Sequence, residues 1–176
     1  CLTISMYSRV RPHGFSYGMP YQPSETCGPE GPNPKMKRPP ERASIVTPAI
    51  AAAASGDVIK VSTGVYREDL VIDNPLKLIG VGRPVLIGTG VGTVVTITAD
   101  GSELRGFVIE GSGTGQTNAM DAGIQITSSG NRVTGNVLRR VFYGIVIVDA
   151  RLNNIVGNEI HGLRDLPFGR RGDGIY

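Results

Sequence analysis

The chain has 176 residues, of which 25 are glycine and none is tryptophan, and its formal net charge is +3. This length can enclose one hydrophobic core, and abundant Gly with many Val and Ile favours short strands and tight turns over helices. The small net charge gives no reason to expect a nucleic-acid partner. No run of about 18 apolar residues is present that could span a membrane.

The first 42 residues differ in composition from the rest of the chain. They hold eight of the twelve prolines and follow no period, so we predict a Pro/Gly-rich extended or disordered tail over 1–42. The folded domain is expected to cover 43–176. Its last residues, 174–176, resemble the opening of another strand. We therefore expect the domain to be truncated at its C-terminus and to aggregate when expressed alone.

A short helix is predicted at the start of the domain. Thr47 is a suitable N-cap, Pro48 suits the first helical position, and the alanine-rich run 49–54 favours helix propagation. Ser55 and Gly56 are expected to end the helix. We expect this short amphipathic helix to cap the open core of the first turn of the repetitive domain.

From Asp57 onward, apolar residues recur in three columns with a period of 21–22 residues. The columns are Ile97, Ile126, Ile147; Leu104, Val133, Ile155; and Ile87, Ile109, Leu138, Ile160. Each column contains one step of 29 residues, so a single insertion of about seven residues explains all three. Three short strands per turn of about 22 residues predict an all-β fold, a right-handed single-stranded parallel β-helix.

Polar residues keep the same register as the apolar columns. Asn131 and Asn153 lie 22 residues apart, and the pairs Gly135 with Gly157 and Asn136 with Asn158 have the same spacing. Stacked Asn side chains can hydrogen-bond from turn to turn, and Gly and Asn tolerate the left-handed backbone of tight corners. We therefore predict a structural role for them.

Two insertions leave the repeat at the same corner, after the strands at Ile109 and Ile160, and cover 110–121 and 161–173. Stacked turns lie about 4.8 Å apart, so loops two turns apart should stand roughly 10 Å apart at their bases. They would flank a groove whose floor is the short link 139–143. The predicted groove residues are Arg139, Arg140, Tyr143, Arg164, Arg170, Arg171 and Asp173. Because arginine predominates, we expect an anionic or polar partner, a protein or a sugar.

The same corner carries the candidate catalytic and metal-binding residues. Asp121 and Asp173 precede similar Gly-Ile segments two turns apart, and they are the candidates for the carboxylate pair of a glycoside-cleaving enzyme. No third acid adjoins them, so a non-enzymatic role is favoured. Met120 and His161 are the candidate soft ligands for copper, although solvated loop side chains are the simpler interpretation.

Several segments resemble the periplasmic NosD proteins, in the pectin-lyase-like (CASH domain) superfamily of β-helices. The matching segments are 55–61, 63–66, 75–80, 111–113, 121–124, 144–145 and 171–175. The earlier segments occur throughout the superfamily, whereas the Asp121 segment combined with 171–175 is more specific. From first to last they span about two-thirds of the chain.

The resemblance implies a non-enzymatic, periplasmic accessory protein that assists maturation of the copper centre of nitrous oxide reductase. It also implies copper as a possible cofactor, and an ABC transporter and copper-site assembly proteins as partners. No copper ligands can be assigned from it. Two alternatives stay open: a polysaccharide-binding or -cleaving β-helix (lyase, hydrolase or epimerase), and a plain structural repeat protein.

Overall fold

The computed structural model describes residues 44–115, 120–166, 172 and 174–176, together with the backbone of 9–10. The prediction for the tail 1–42 therefore lies outside the described residues, apart from strand β1 (Arg9–Val10). This strand pairs antiparallel with β2 (Val58–Ser62), the first strand of the repetitive domain.

The predicted parallel β-helix is confirmed, because the described residues form three stacked parallel sheets with about five rungs. Sheet A contains β2, β5 (Lys77–Val81), β8 (Glu103–Arg105), β11 (Arg132–Thr134) and β14 (Asn154–Val156). Sheet B contains β3 (Val65–Arg67), β6 (Val85–Ile87), β9 (Val108–Glu110), β12 (Val137–Val141) and β15 (Glu159–Gly162). Sheet C contains β4 (Leu70–Ile72), β7 (Val95–Ile97), β10 (Ala122–Ile126) and β13 (Tyr143–Ile147).

The apolar columns stack as predicted, with one correction. Ile97, Ile126 and Ile147 pair in sheet C, and Leu104, Val133 and Ile155 pair in sheet A. In sheet B, however, the partner of Ile109 is Leu86, so the prediction for Ile87 was wrong by one residue. Leu86 is fully buried, whereas Ile87 pairs with Glu110 on the outer face. Because all three residues of β6 are apolar, the sequence did not show which of them points to the core. A shift of the register by one residue exchanges the inner and outer faces of a strand.

The polar ladder is confirmed as a structural feature. The side-chain oxygen of Asn153 accepts a hydrogen bond from the backbone N–H of Asn131 at 2.8 Å, and that of Asn158 accepts one from Asn136 at 3.0 Å. Gly135 and Gly157 have φ values of 64° and 65°, the left-handed conformation that favours glycine. Each rung therefore completes the hydrogen bonds at the corners of the rung above it.

A short helix, α1 (Val46–Ala51), covers the top of the core, as predicted, through its buried Val46 and Ile50. The predicted N-cap was wrong, because the helix begins before Thr47 and Ile45 occupies the N-cap position without a side-chain hydrogen bond. The helix also ends before Ala54, whose N–H binds the Asp57 carboxylate at 2.9 Å. No helix in the described ranges is long and apolar enough to cross a bilayer.

The carboxylate of Glu68 replaces the missing cap. Its oxygens accept hydrogen bonds from the backbone N–H groups of Ile45, Val46 and Thr47 at 2.8–3.2 Å, and from the Ser44 and Thr47 hydroxyls at 2.7 Å. Burial raises the pKa of Glu68, but these hydrogen bonds outweigh burial and lower the pKa below its usual value. The helix is therefore fixed by a residue more than twenty positions downstream.

Leu152 is an outlier at the corner between sheets C and A. It has φ 60° and is 86% exposed, whereas Gly101 and Gly130 occupy the corresponding corners with φ near 70°. A left-handed conformation costs a residue with a β-carbon about 1–2 kcal/mol, and Asn tolerates it better. We expect Leu152→Asn to raise the free energy of unfolding by about 0.5–1 kcal/mol in urea denaturation.

The matched control for Leu152→Asn is Val156→Asn. This change also removes an exposed apolar side chain, 59% accessible, but from the strand β14 and not from a left-handed corner. It should not stabilise the protein, since Asn is disfavoured in strands. Equal stabilisation by both changes would contradict an origin in backbone strain.

Candidate binding surface

The links between sheets B and C, which we call the insertion corner, vary most in length among the described residues. Links from A to B contain two or three residues and links from C to A four to six, whereas links from B to C range from one residue, Phe142, to the eleven of 111–121. The link 88–94 is also long. It was missed in the sequence, although the 25-residue step from Ile72 to its partner Ile97 revealed it.

The first predicted insertion extends the hydrogen-bonded stack beyond the strands. The N–H of Gly113 donates to the carbonyl of Gly92 in the link above at 2.9 Å. Below it, the Ser112 hydroxyl accepts a hydrogen bond from the N–H of Phe142, also at 2.9 Å. The insertion is thus tied to the rungs on both sides. These hydrogen bonds give the first part of the insertion a defined position on the surface.

Asp121 closes this insertion. Its Oδ2 accepts a hydrogen bond from the Gly115 N–H at 2.8 Å, and a β-carbon on Gly113 would overlap the carboxylate. Asp121 is only 3% exposed, and its Oδ1 has no hydrogen-bond partner among the described residues. Burying a carboxylate oxygen without a hydrogen-bond partner lowers the stability of the fold. The other oxygen is directed at the backbone of the loop and not at solvent. The geometry assigns Asp121 to anchoring the loop. Its predicted partner Asp173 lies outside the described residues.

The short link below the insertion carries aromatic rings. The rings of Phe142 and Tyr143 meet edge to face with centroids 4.8 Å apart, and Tyr143 lies 5.6 Å from Tyr176. A β-carbon on Gly115 would overlap the Phe142 ring, and one on Gly172 would overlap the Phe142 carbonyl. The described residues of both insertions therefore contact the same link, one from above and one from below.

The predicted groove arginines occupy different environments. Arg139 forms an ion pair with Glu110, with Nη2 and Oε1 2.6 Å apart, so its charge is compensated. Arg140 sits at a register shift between β12 and β15, with φ 54°, and is exposed. Its guanidinium has no hydrogen-bond or ion-pair partner within the described part of the chain. Arg164 is exposed on the second insertion and has a partner. Arg170 and Arg171 lie outside the described residues.

Bulges and left-handed non-glycine residues occur preferentially next to functional sites, because they redirect a side chain at a cost in backbone energy. Arg140 combines both features with an exposed guanidinium that no acidic side chain among the described residues pairs with. Arg140 could be predicted from the sequence as a groove residue, but its conformation could not. Nothing in the local sequence distinguishes Arg140 from the neighbouring Arg139.

The candidate copper ligands are not brought together. Met120 is 41% exposed on the first insertion, while His161 lies in β15 two rungs lower, so their backbones are separated by about 10 Å. The His161 ring nitrogen instead contacts the Glu159 carboxylate at 2.6 Å. The described residues contain no group of three His, Cys, Asp or Glu side chains that could hold a metal. Copper needs converging soft or imidazole ligands, so these residues do not fit a copper site.

A curated relative supports the resemblance seen in the sequence. The chain is 31% identical over 118 residues to the probable ABC transporter binding protein NosD of Pseudomonas aeruginosa. The alignment covers 65% of this chain and 27% of the relative, so the chain spans about a quarter of that protein's length. No family model and no solved structure matches the chain. The predicted similarity to NosD is confirmed over this region.

Proposed function

We propose that this chain is the β-helical part of a NosD-like accessory protein that binds a protein partner through its insertion corner. The observation that carries the proposal is the exposed Arg140, held by a strained bulge between two insertions on an otherwise regular ladder. Loops on a rigid repetitive scaffold are the usual location of binding residues. The similarity to a NosD protein over most of this domain supports the same role.

The partner is proposed from the relative. That protein is named as a probable ABC transporter binding protein, so a transporter subunit is the first candidate. We propose that the protein acts in the periplasm together with an ABC transporter and copper-site assembly proteins. Its role there is to assist maturation of the copper centre of nitrous oxide reductase. Because the described residues do not fit a copper site, the contribution of this chain is binding and positioning, without copper ligands from Met120 and His161.

Arg140→Asn is expected to weaken binding to the ABC transporter of a nitrous-oxide-reductase gene cluster by about tenfold or more. Asn keeps the left-handed backbone while removing the exposed charge, so the loss would come from the contact and not from the fold. Surface plasmon resonance with the purified transporter in detergent measures the dissociation constant.

Arg151→Gln is the matched control, since it removes an exposed charge at the corner between sheets C and A. It should leave the dissociation constant unchanged. Equal affinities of the unsubstituted chain and Arg140→Asn would remove the insertion corner from the proposal. Absence of transporter binding, with genes for polysaccharide use beside this gene, would overturn the NosD-like function itself.

A second candidate function, carbohydrate binding, is favoured by the rings of Phe142, Tyr143 and Tyr176. Aromatic faces beside an arginine can stack and hydrogen-bond sugars. Cleavage receives less support, because Asp121 is buried and engaged with the loop backbone. Binding of a glycan that Tyr143→Ala abolishes would favour this function over the first.

A further inference from the structure

The outer face of sheet A carries most of the uncompensated strand charge. In this sheet Ile59, Leu78, Leu104 and Val133 face the core, and the residues alternating with them face outward. The outward cations are Lys60, Lys77, Arg105 and Arg132, one from each of four successive rungs. All four are exposed. The single outward anion is Glu103, whose side chain is 20% exposed.

The other two sheets carry a smaller excess of positive charge or none. On sheet B, the cations Arg67, Arg139 and Arg140 are opposed by the anions Glu110 and Glu159, and Glu110 pairs with Arg139. On sheet C, the residues in the outward register are uncharged: Val71, Thr96, Gln125 and Val146, of which Val146 is fully buried. The excess of positive charge on the strands is therefore largest on the outer face of sheet A.

Exposed apolar side chains share the basic face. Val81 and Val156 are 50% and 59% exposed and point outward from β5 and β14, and Ile79 lies half-buried between Lys60 and Arg105 in the same column. Soluble proteins leave single valines exposed without consequence, but here they accompany a basic surface. Cations combined with protruding apolar groups favour the interface of an anionic membrane, where each kind of group finds a partner.

We propose that the outer face of sheet A docks on the surface of an anionic lipid bilayer. The four cations alternate between two columns about 7 Å apart, with rungs about 4.8 Å apart, so they form a broad patch on a sheet. A planar partner can meet all four at once, whereas a linear chain running along one column meets only two. This face is separate from the insertion corner, so the proposal does not depend on the transporter partner.

Glu103 reduces the net positive charge of the basic face. It lies between Lys77 and Arg132 in one column, and its carboxylate contacts the Nε of Arg105 at 3.1 Å. Removing this anion should therefore strengthen lipid binding. Nonspecific hydrophobic adsorption to vesicles would not become stronger when a single acidic side chain is neutralised.

The test is flotation of the chain with vesicles of mixed phosphatidylcholine and phosphatidylglycerol, because aggregates sediment while vesicle-bound protein floats. Each Lys or Arg near an anionic surface contributes about 1 kcal/mol, roughly fivefold in partitioning. The double variant Lys77→Gln, Arg132→Gln should therefore bind about 30-fold more weakly, and Glu103→Gln about fivefold more tightly. Raising the salt from about 0.1 M to 1 M should release the protein, as the Debye length falls from about 10 Å to 3 Å.

The control variant Arg83→Asn, Arg151→Gln removes two exposed cations from the corners of the solenoid and should bind as the unsubstituted chain does. Equal binding by the Lys77 and Arg132 double variant would overturn the proposal. So would flotation with pure phosphatidylcholine vesicles, or binding to soluble polyphosphate without flotation. Thermal unfolding of every variant checks that the fold is retained.

Discussion

Replacing Glu68 with Gln is expected to lower the free energy of unfolding by about 3–5 kcal/mol. The carboxylate accepts five hydrogen bonds from Ser44, Ile45, Val46 and Thr47, and it is only 6% exposed. An amide keeps the shape but turns one acceptor into a donor that faces other donors. Urea denaturation followed by circular dichroism measures the loss.

Glu110→Gln is the matched control, because it neutralises a carboxylate whose partner Arg139 is half exposed. Such surface ion pairs contribute about 0–1 kcal/mol. A loss for Glu68→Gln no larger than for Glu110→Gln would show that the cap helix does not depend on this carboxylate.

The Glu68 contribution should also depend on pH. Its pKa in the folded protein is below the ordinary value of about 4.5, so the unfolded chain binds the proton first as pH falls. The stabilisation is therefore complete above about pH 5, and it is lost as pH falls through the lower folded pKa. The stability difference between the unsubstituted chain and Glu68→Gln should shrink over that acid range. A difference that stays constant or grows on acidification would contradict this linkage.

Replacing Asn136 with Ala should cost about 2–4 kcal/mol, the second large loss that the fold predicts. Asn136 is fully buried. Its oxygen accepts from the Phe107 N–H at 3.0 Å, and its amide donates to the Leu104 carbonyl at 3.1 Å and to Asn158 at 3.0 Å. Alanine would leave the Phe107 N–H buried without its partner and would remove the amide donor to the Leu104 carbonyl and Asn158.

The matched control for this ladder is Asn154→Ala, since Asn154 is an exposed asparagine in the strand β14. Surface substitutions of this kind usually change stability by less than about 0.5 kcal/mol. Midpoints of urea denaturation compare the two variants directly. Similar midpoints would mean that the ladder is replaceable by solvent.

The repeat could be predicted from the sequence because it is encoded locally and periodically. Asn131 and Asn153 occupy equivalent corners, so a spacing of 22 residues was enough to pair them. The spacing did not show whether Leu86 or Ile87 faces the core. Val85, Leu86 and Ile87 are all apolar, so this strand has no alternation of polar and apolar residues that would mark its inner face. Burial against the neighbouring strands makes that choice.

Contacts between distant parts of the chain limited the prediction of the cap and of the candidate site. Thr47 is a residue type favoured at N-caps, but the carboxylate of Glu68 caps the helix instead. The first rung of the solenoid must fold before Glu68 lies close to the helix. Asp121 resembled a solvent-facing acid, whereas the path of its loop buries it against Gly115. The corner itself could be found because insertions interrupt a period. The conformation of Arg140 could not, because neighbouring rungs impose it.

The unequal corner lengths determine where such a chain can acquire new sequence. Links from A to B contain only two or three residues, and in two of them Asn136 and Asn158 hydrogen-bond to the rung above, so an added residue there would disturb this ladder. At the insertion corner, links of one, two, seven and eleven residues coexist on the same scaffold. Foreign loops could therefore be grafted at this corner. Lengthening the solenoid would require duplicating a whole rung.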